Sequence, residues 1–288
     1  MFSKTAAARI SVISNSSLVI IKFVAVFISG SVSVISEAIH SMMDLLAAII
    51  AFFSVKVSDT PADERHPYGH GKYENVSGVI EALLIFVAAI WIIYEAIDKL
   101  IHPRPLDKAG IGMIVMFISA IINFFVSQNL YKVARKTESI ALEADALHLK
   151  TDVYTSLGVA IGLLLIYITG IQIIDPIAAI LVACLILKES YNLLKRAYSP
   201  LLDEAISSDE LMDIEASIKK SNYTFHDLKS RQSGNMRFIE FHMEMPGEMA
   251  LKEAHKICDE IEEDIKNKIP NIQINIHVET HETETAEN

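Results

Sequence analysis

Six stretches of apolar residues, each close to the roughly 20 that cross a bilayer's hydrocarbon core, leave this chain few folds to choose from. They run Ile10 to Ser29, Val32 to Val57, Val76 to Leu100, Ile111 to Val133, Leu147 to Ile168, and Ile171 to about Leu193. In lipid every backbone polar group must be satisfied within the segment, which predicts a membrane α-helical bundle of six transmembrane helices. The first stretch is too long for a secretory leader, no small-x-small cleavage site follows it, and five more come after. The sixth has the shortest unbroken apolar core, Pro176 to Leu187, a length that alone would suit a buried soluble helix. Gly30-Ser31 and Thr169-Gly170 are short connections, so the helices they join are expected to be antiparallel neighbours.

The charge changes where the apolar stretches end. Residues 1–200 hold 16 Lys+Arg and 16 Asp+Glu, whereas residues 201–288 hold 9 and 20, so the whole net charge of −11 lies in the last third. This predicts a transmembrane domain over 1–200, a small polar domain over 201–281 and a disordered tail over 282–288. Positive residues are retained on the cytoplasmic side. With six spans and both ends inside, Lys4, Arg9, Lys56, Arg65, Lys72, Lys132, Arg135, Lys136, Lys188, Lys195 and Arg196 fall inside, and Lys99, Arg104 and Lys108 outside. Both termini and the acidic domain are therefore expected in the cytoplasm of a cell (inner) membrane protein. An acidic domain argues against a nucleic-acid partner, and Cys184 and Cys258 make no disulfide framework.

Beyond Pro200 the pattern is that of a soluble α+β domain. Ser207, Ser208 or Asp209 can cap a helix running to about Lys220, with Leu211, Ile214 and Ile218 on one face. Leu228 to Gln232 and Arg237 to Met245 read as strands joined at Ser233-Gly234-Asn235. A helical period returns over Leu251 to Ile269 and stops at Pro270, and Ile272 to Val278 alternates as a last strand. The order αββαβ implies a sheet covered by helices.

Ionisable residues inside apolar helices are expensive and ask for a reason. Helix two carries His40 and Asp44, and helix five carries His148 and Asp152, each pair spaced His-x-x-x-Asp. At i and i+4 both side chains share one helical face. Two such helices facing each other would converge two imidazoles and two carboxylates, a complete tetrahedral set for zinc whose carboxylates neutralise the divalent charge. One pair alone would more often be packing between helices; two matched pairs favour metal. Asp63, His66 and His70 offer a carboxylate and two imidazoles within eight residues, against the alternative of a solvated polar loop. Gly69-His70-Gly71-Lys72 lacks the first glycine and the Ser/Thr of a phosphate loop. In the polar domain, His277 and Glu279 share a strand face and His242 lies on a neighbouring strand, while ordinary solvated histidines are the competing reading.

With these residues in place the chain resembles the cation diffusion facilitator family of proton-coupled divalent-metal exporters. The resemblance covers nearly the whole chain and rests on the six spans, the acidic αββαβ domain, His40 and Asp44, the run Glu143-Ala144-Asp145-Ala146-Leu147-His148 to Asp152, and the loop Asp63 to Lys72. It implies a homodimer in the lipid bilayer, exchanging divalent cations for protons. It also implies a transport site on His40, Asp44, His148 and Asp152 and a loop metal on Asp63, His66 and His70. A dimer-bridging pair of metals would sit on His226, His242, His255, His277 and Glu279, with His281 a weaker position. Lys72 and Asp203 match a family charge interlock.

His at position 40 resembles the zinc-selective branch, and two imidazoles without thiolate favour zinc over manganese or magnesium; iron, cobalt and cadmium are the alternatives. Zinc would be both the transported ion and the regulatory one. Zinc takes neutral imidazole and ionised carboxylate, so loading displaces protons, with His40 and His148 as carriers. Asp145 and Glu37, one turn before the two histidines, either relay protons or face water at a cavity mouth, the latter being favoured. No His-Glu-x-x-His occurs and four ligands would close the shell, which argues against a membrane zinc hydrolase or any other enzyme. A metal sensor merely anchored by its spans is the remaining class.

Overall fold

The computed structural model describes residues 3–29, 32–102, 111–169, 171 and 173–280. The chain forms two compact units, Met1–Tyr198 and Ser199–Asn288. The first holds α1 (Lys4–Ser29), α2 (Val32–Ser58), α3 (Lys72–Ile101), α4 (Ile111–Thr137), α5 (Ile140–Thr169) and α6 (Ile174–Tyr198). Among the described residues five of these helices contain a stretch long and apolar enough to span a membrane, α6 included. The remaining one, α5, carries Glu143, Asp145, Lys150 and Asp152 in its first half.

Packing in this unit is inside out compared with a soluble bundle. Its buried positions are largely small residues, among them Ala7, Ala8, Ala47, Ala48, Ala51, Ala82, Ala89, Ala141, Ala144 and Ala146, while Phe27, Trp91, Tyr94, Phe117, Phe125 and Leu181 point outward. Small residues let helices approach closely where lipid removes the hydrophobic drive between them. At Gly78 of α3 a Cβ would come within 3.1 Å of Ala197 Cβ on α6. Hydroxyl and amide donors stitch the same seams: Asn75 Nδ2 to Ala197 O at 3.2 Å, Ser190 Oγ to Ala82 O at 2.7 Å, and Ser127 Oγ to Ala146 O at 2.8 Å.

Two helices begin well before their apolar stretches. Helix α1 starts at Lys4, and α5 starts at Ile140, capped by Ser139, whose hydroxyl accepts from Leu142 N at 3.3 Å. One buried carboxylate explains how these polar ends are held. Glu74, in the first turn of α3, accepts from Lys4 Nζ at 2.9 Å, from Ser58 Oγ at 2.6 Å and from Ser139 Oγ. Lys4 also pairs with Asp59 at 2.7 Å. Four helices thus meet on one side chain.

The second unit opens with a 3-10 turn (Ser199–Leu202), followed by α7 (Ser208–Lys219), β1 (Phe225–Ser233), β2 (Met236–Met245), α8 (Leu251–Lys268) and β3 (Ile272–Thr280). This is the αββαβ order. Ser207 and Glu210 close a capping box on α7. Strand β2 is central, antiparallel to β1 and parallel to β3, and the parallel pairing requires the crossover that α8 supplies. Ile239, Phe241, Met243 and Met245 of β2 pack with Ile214 and Ile218 of α7 and Ala254, Cys258, Ile261 and Ile265 of α8. Strand alternation therefore leaves Glu240, His242 and Glu244 on the side away from the helices. Strand β1 starts three residues earlier than its pattern suggests. A register shift between His226 and Lys229, with Asp227 at φ 52°, breaks the alternation and hides His226 as a strand residue.

The predicted disordered tail, and His281, lie outside the described residues.

Candidate metal sites

Helices α2 and α5 pack side by side and bring their polar pairs together. His40 Nε2 lies 3.5 Å from Asp152 Oδ1 and 3.7 Å from Asp44 Oδ1, and His148 Nε2 lies 3.0 Å from Asp44 Oδ1. One ligand atom each from His40, Asp44 and Asp152 falls within 4.8 Å of the others. Asp44 is 5% exposed at its side chain and His40 52%, so the cluster is closed on one side and open on the other. His148 reaches Asp44 but does not join the other three within 4.8 Å, so the structure draws together one imidazole and two carboxylates, donors of the kinds zinc takes, with the second imidazole beside them.

Two further residues belong to this neighbourhood and were not singled out from the sequence. Asn123 of α4 donates through Nδ2 to Asp152 Oδ2 at 3.2 Å. Lys22 of α1 is buried and acts electrostatically on Asp44. The available signal was a polar side chain inside an apolar run, which identifies the residue but not its partner. Asp145 departs from its favoured reading: it is 1% exposed and faces no water, because α5 turns that side into the bundle. The side chain of Glu37 lies outside those described.

In the loop between α2 and α3, Asp63 Oδ1 lies 3.5 Å from His66 Nδ1, and Asp63 Oδ2 lies 3.4 Å from His70 Nε2. The rings of His66 and His70 are 4.4 Å apart, and Gly69 between them takes φ 79°, a turn that brings the second imidazole back toward the first. The backbone N–H of His66 (2.7 Å), then that of Arg65 (2.9 Å), and the two imidazoles hold the Asp63 carboxyl below its ordinary range. All three residues offer ligand atoms within 4.8 Å of one another.

The open face of the sheet carries a row of imidazoles, one per strand. His226 pairs with His242 across β1 and β2, and His242 with His277 across β2 and β3, with ring centroids 5.3 and 4.8 Å apart. Glu279 closes the group at 2.9 Å from His242 Nδ1, 3.4 Å from His226 Nε2 and 3.6 Å from His277 Nε2. His255 is not brought to this group. It stands on α8, a helix on the opposite face of the sheet, exposed and 3.7 Å from Asp259. Lys72 opens α3 in the first unit; Asp203 belongs to the second, 3.6 Å from Arg231 Nη1.

Comparison with known proteins agrees with this architecture. The cation efflux transmembrane domain matches residues 8–202, and the cytoplasmic domain of cation efflux proteins matches residues 206–281. An uncharacterized transporter of Synechocystis sp. is 36% identical over 90% of this chain and 84% of its own. The cation-efflux pump FieF of Shewanella oneidensis is 31% identical over 94% of this chain and 92% of its own. A solved metal-bound C-terminal domain of the CzcD transporter from Thermotoga maritima is 31% identical, covers 25% of this chain and 87% of that chain, and has a TM-score of 0.24. Six long helices, five of them with a full apolar span among the described residues, carrying paired imidazoles and carboxylates, joined to a helix-covered sheet and matched along almost their whole length, make this chain a member of the cation efflux family of integral membrane transporters.

Proposed function

We propose that the protein exports a divalent metal cation, zinc foremost, from the cytoplasm in exchange for protons, by alternating access within a homodimer. The observation that carries this reading is the meeting of His40, Asp44, His148 and Asp152 inside an apolar bundle. Two imidazoles with two carboxylates suit zinc better than a hard ion such as manganese. Iron, cobalt and cadmium are the competing cargoes. Because zinc takes deprotonated ligands, loading releases protons, and protons arriving from the far side favour release of the metal.

Asp63, His66 and His70 would take a second metal beside the membrane unit. His226, His242, His277 and Glu279 would take regulatory zinc in the cytoplasmic domain; the reading is supported by the donor types and by the meeting of His226, His242 and Glu279, with His277 beside them. His255 would join such a site only from the second chain. Lys72 and Asp203 would be the two charges of the family interlock, and both termini would face the cytoplasm. Metal that favours the paired arrangement of two acidic domains would shift the dimer toward it.

Zinc uptake into proteoliposomes driven by a pH gradient tests the reading. Uptake is expected to stop when Asp44→Ala and Asp152→Ala are combined. Undiminished uptake in that variant would overturn it, and parallel flux measurements with iron, cobalt, cadmium and manganese identify the cargo.

A further inference from the structure

Two carboxylates lie inside the membrane unit and outside every cluster described above. Glu81 of α3 is fully buried, as Asp145 of α5 nearly is. They sit where α3 packs on α5, beside the contacts of Ala82, Ile85, Ala144 and Leu147, and the Asp145 charge acts on Glu81. Ser77 Oγ donates to Glu81 Oε1 at 3.1 Å. Glu81 Oε2 is buried without any hydrogen-bond partner, and the buried oxygens of Asp145 have at most the Ser11 hydroxyl of α1 as a neutral donor. The charged groups facing Asp145 from the neighbouring helices are Glu81, Asp44 of α2 and His148 of its own helix, while α1 presents only the buried hydroxyl of Ser11. Among the described residues no Lys, Arg or His forms an ion pair with either carboxylate.

An ionised carboxylate removed from water and left unpartnered is among the costliest groups a bundle can hold, and two adjacent ones repel as well. Such a pair persists in an apolar bundle only if a cation neutralises it. A fixed lysine or arginine would do so permanently; here the cation must be mobile. A metal ion stripped of water needs more ligands than the pair supplies, and among the described residues no third His, Cys, Asp or Glu ligand atom joins them within 4.8 Å. A proton needs a single oxygen.

We propose that Glu81 and Asp145 form a second cation position in the membrane unit, which holds an exchanged proton apart from the four residues that take the metal. Asp145 stands three residues before His148, on the same helical face. When the pair loses its proton, a negative charge appears one turn from the metal cluster and favours the divalent ion; when it regains the proton, that attraction is withdrawn. Metal and proton then compete without sharing a ligand, and the coupling is reciprocal. The inference rests on the proton-coupled exchange proposed above.

The test uses full-length protein in vesicles of phosphatidylethanolamine and phosphatidylglycerol, with zinc and proton movements recorded together. Glu81→Gln, which keeps size and shape, and Asp145→Asn are each expected to bind as many zinc ions as the parent and to exchange zinc down its gradient. Each should lose one of the protons moved per zinc. In parallel, the infrared carbonyl band of a protonated carboxyl should be present in the parent at neutral pH and weaker in either variant, a readout that stands even if one variant transports poorly. A parent that couples protons while both variants couple equally overturns this inference alone, as does absence of the carboxyl band. A zinc equivalent lost with Glu81→Gln overturns it in favour of a metal position. A parent that moves zinc with no protons refutes the exchange reading itself.

Discussion

Asp44 Oδ1 lies 3.0 Å from His148 Nε2, so the carboxylate of one His-x-x-x-Asp pair is engaged by the histidine of the other helix. His40 likewise reaches Asp152 at 3.5 Å. The crossed arrangement makes each half of the site depend on the other helix. Removing Asp44 takes from His148 its carboxylate partner, removing Asp152 takes from His40 the nearer of its two carboxylates, and either change leaves one ligand fewer. Asp44→Ala or Asp152→Ala should lower zinc transport by more than the roughly 10–100-fold that loss of an outer hydrogen-bond partner costs, measured as initial uptake into vesicles.

Asn123 is such an outer partner. Its amide donates to Asp152 Oδ2 at 3.2 Å from α4, a third helix. Asn123→Ala should weaken zinc binding by about 10–100-fold while the protein remains folded, with affinity read by titration calorimetry and folding by circular dichroism. Unchanged affinity would show that Asp152 is oriented without help from α4.

Glu74 accepts from side chains of α1, the end of α2 and the cap of α5. Glu74→Ala leaves the Lys4 ammonium with the half-exposed Asp59 alone, strips the Ser139 hydroxyl of its acceptor and leaves the Ser58 hydroxyl only the Val55 carbonyl. Breaking a buried pair from one side costs on the order of 3 kcal/mol. Thermal denaturation in detergent should show a lower midpoint, and Lys4→Met in the same background should restore part of it.

The cytoplasmic domain offers a pH test. Burial alone would raise the Glu210 carboxyl, but bonds from Ser207 and from the Arg237 guanidinium, 2.7 Å away at both Nε and Nη2, outweigh it and hold the group below its ordinary range. A carboxyl that is lower in the folded than in the unfolded chain adds stability that is fully present above its unfolded value, near 4.3, and is lost as pH falls through the folded one. Glu210→Ala should therefore cost about 1 kcal/mol at pH 7 and progressively less below pH 4. A gap between parent and variant that widens in acid would contradict the sign.

His242 touches Glu279 and lies between His226 and His277, whereas His255 stands across the sheet from all three. His242→Ala should remove a zinc equivalent from the protein. His255→Ala should leave zinc binding intact in dilute protein and affect only a step that depends on protein concentration. Loss of zinc by the His255 variant at every concentration would mean that one chain can fold that helix onto the open face.

The bundle, the αββαβ order and the pairing of residues along single elements were legible because each rests on a local period: apolar length for the spans, i and i+4 for His40 with Asp44, alternation for Ile272 to Val278. What escaped depends on contacts between distant segments. Apolar length starts the fifth span at Leu147, yet the helix starts at Ile140, where Ser139 caps it and Glu74, 65 residues away, secures the cap. His226 is grouped with His242 and Glu279 by resemblance alone, since the shift after it removes the strand signal; the structure brings the three side chains together. Asp145 read as a group at the water's edge, since nothing along one helix tells which side of it the neighbours cover. Asn123 carries no spacing signal toward Asp152 at all.

Strands alternate their side chains, so sliding β3 by one residue against β2 would turn His277 toward the helices and bring an isoleucine or valine to the open face. Only the native alignment lines up three imidazoles. A ligand that binds one arrangement stabilises that arrangement in proportion to the logarithm of its concentration over its dissociation constant. Zinc in this domain would therefore proofread the sheet, rewarding the correctly aligned strand over its slipped neighbours each time the domain folds.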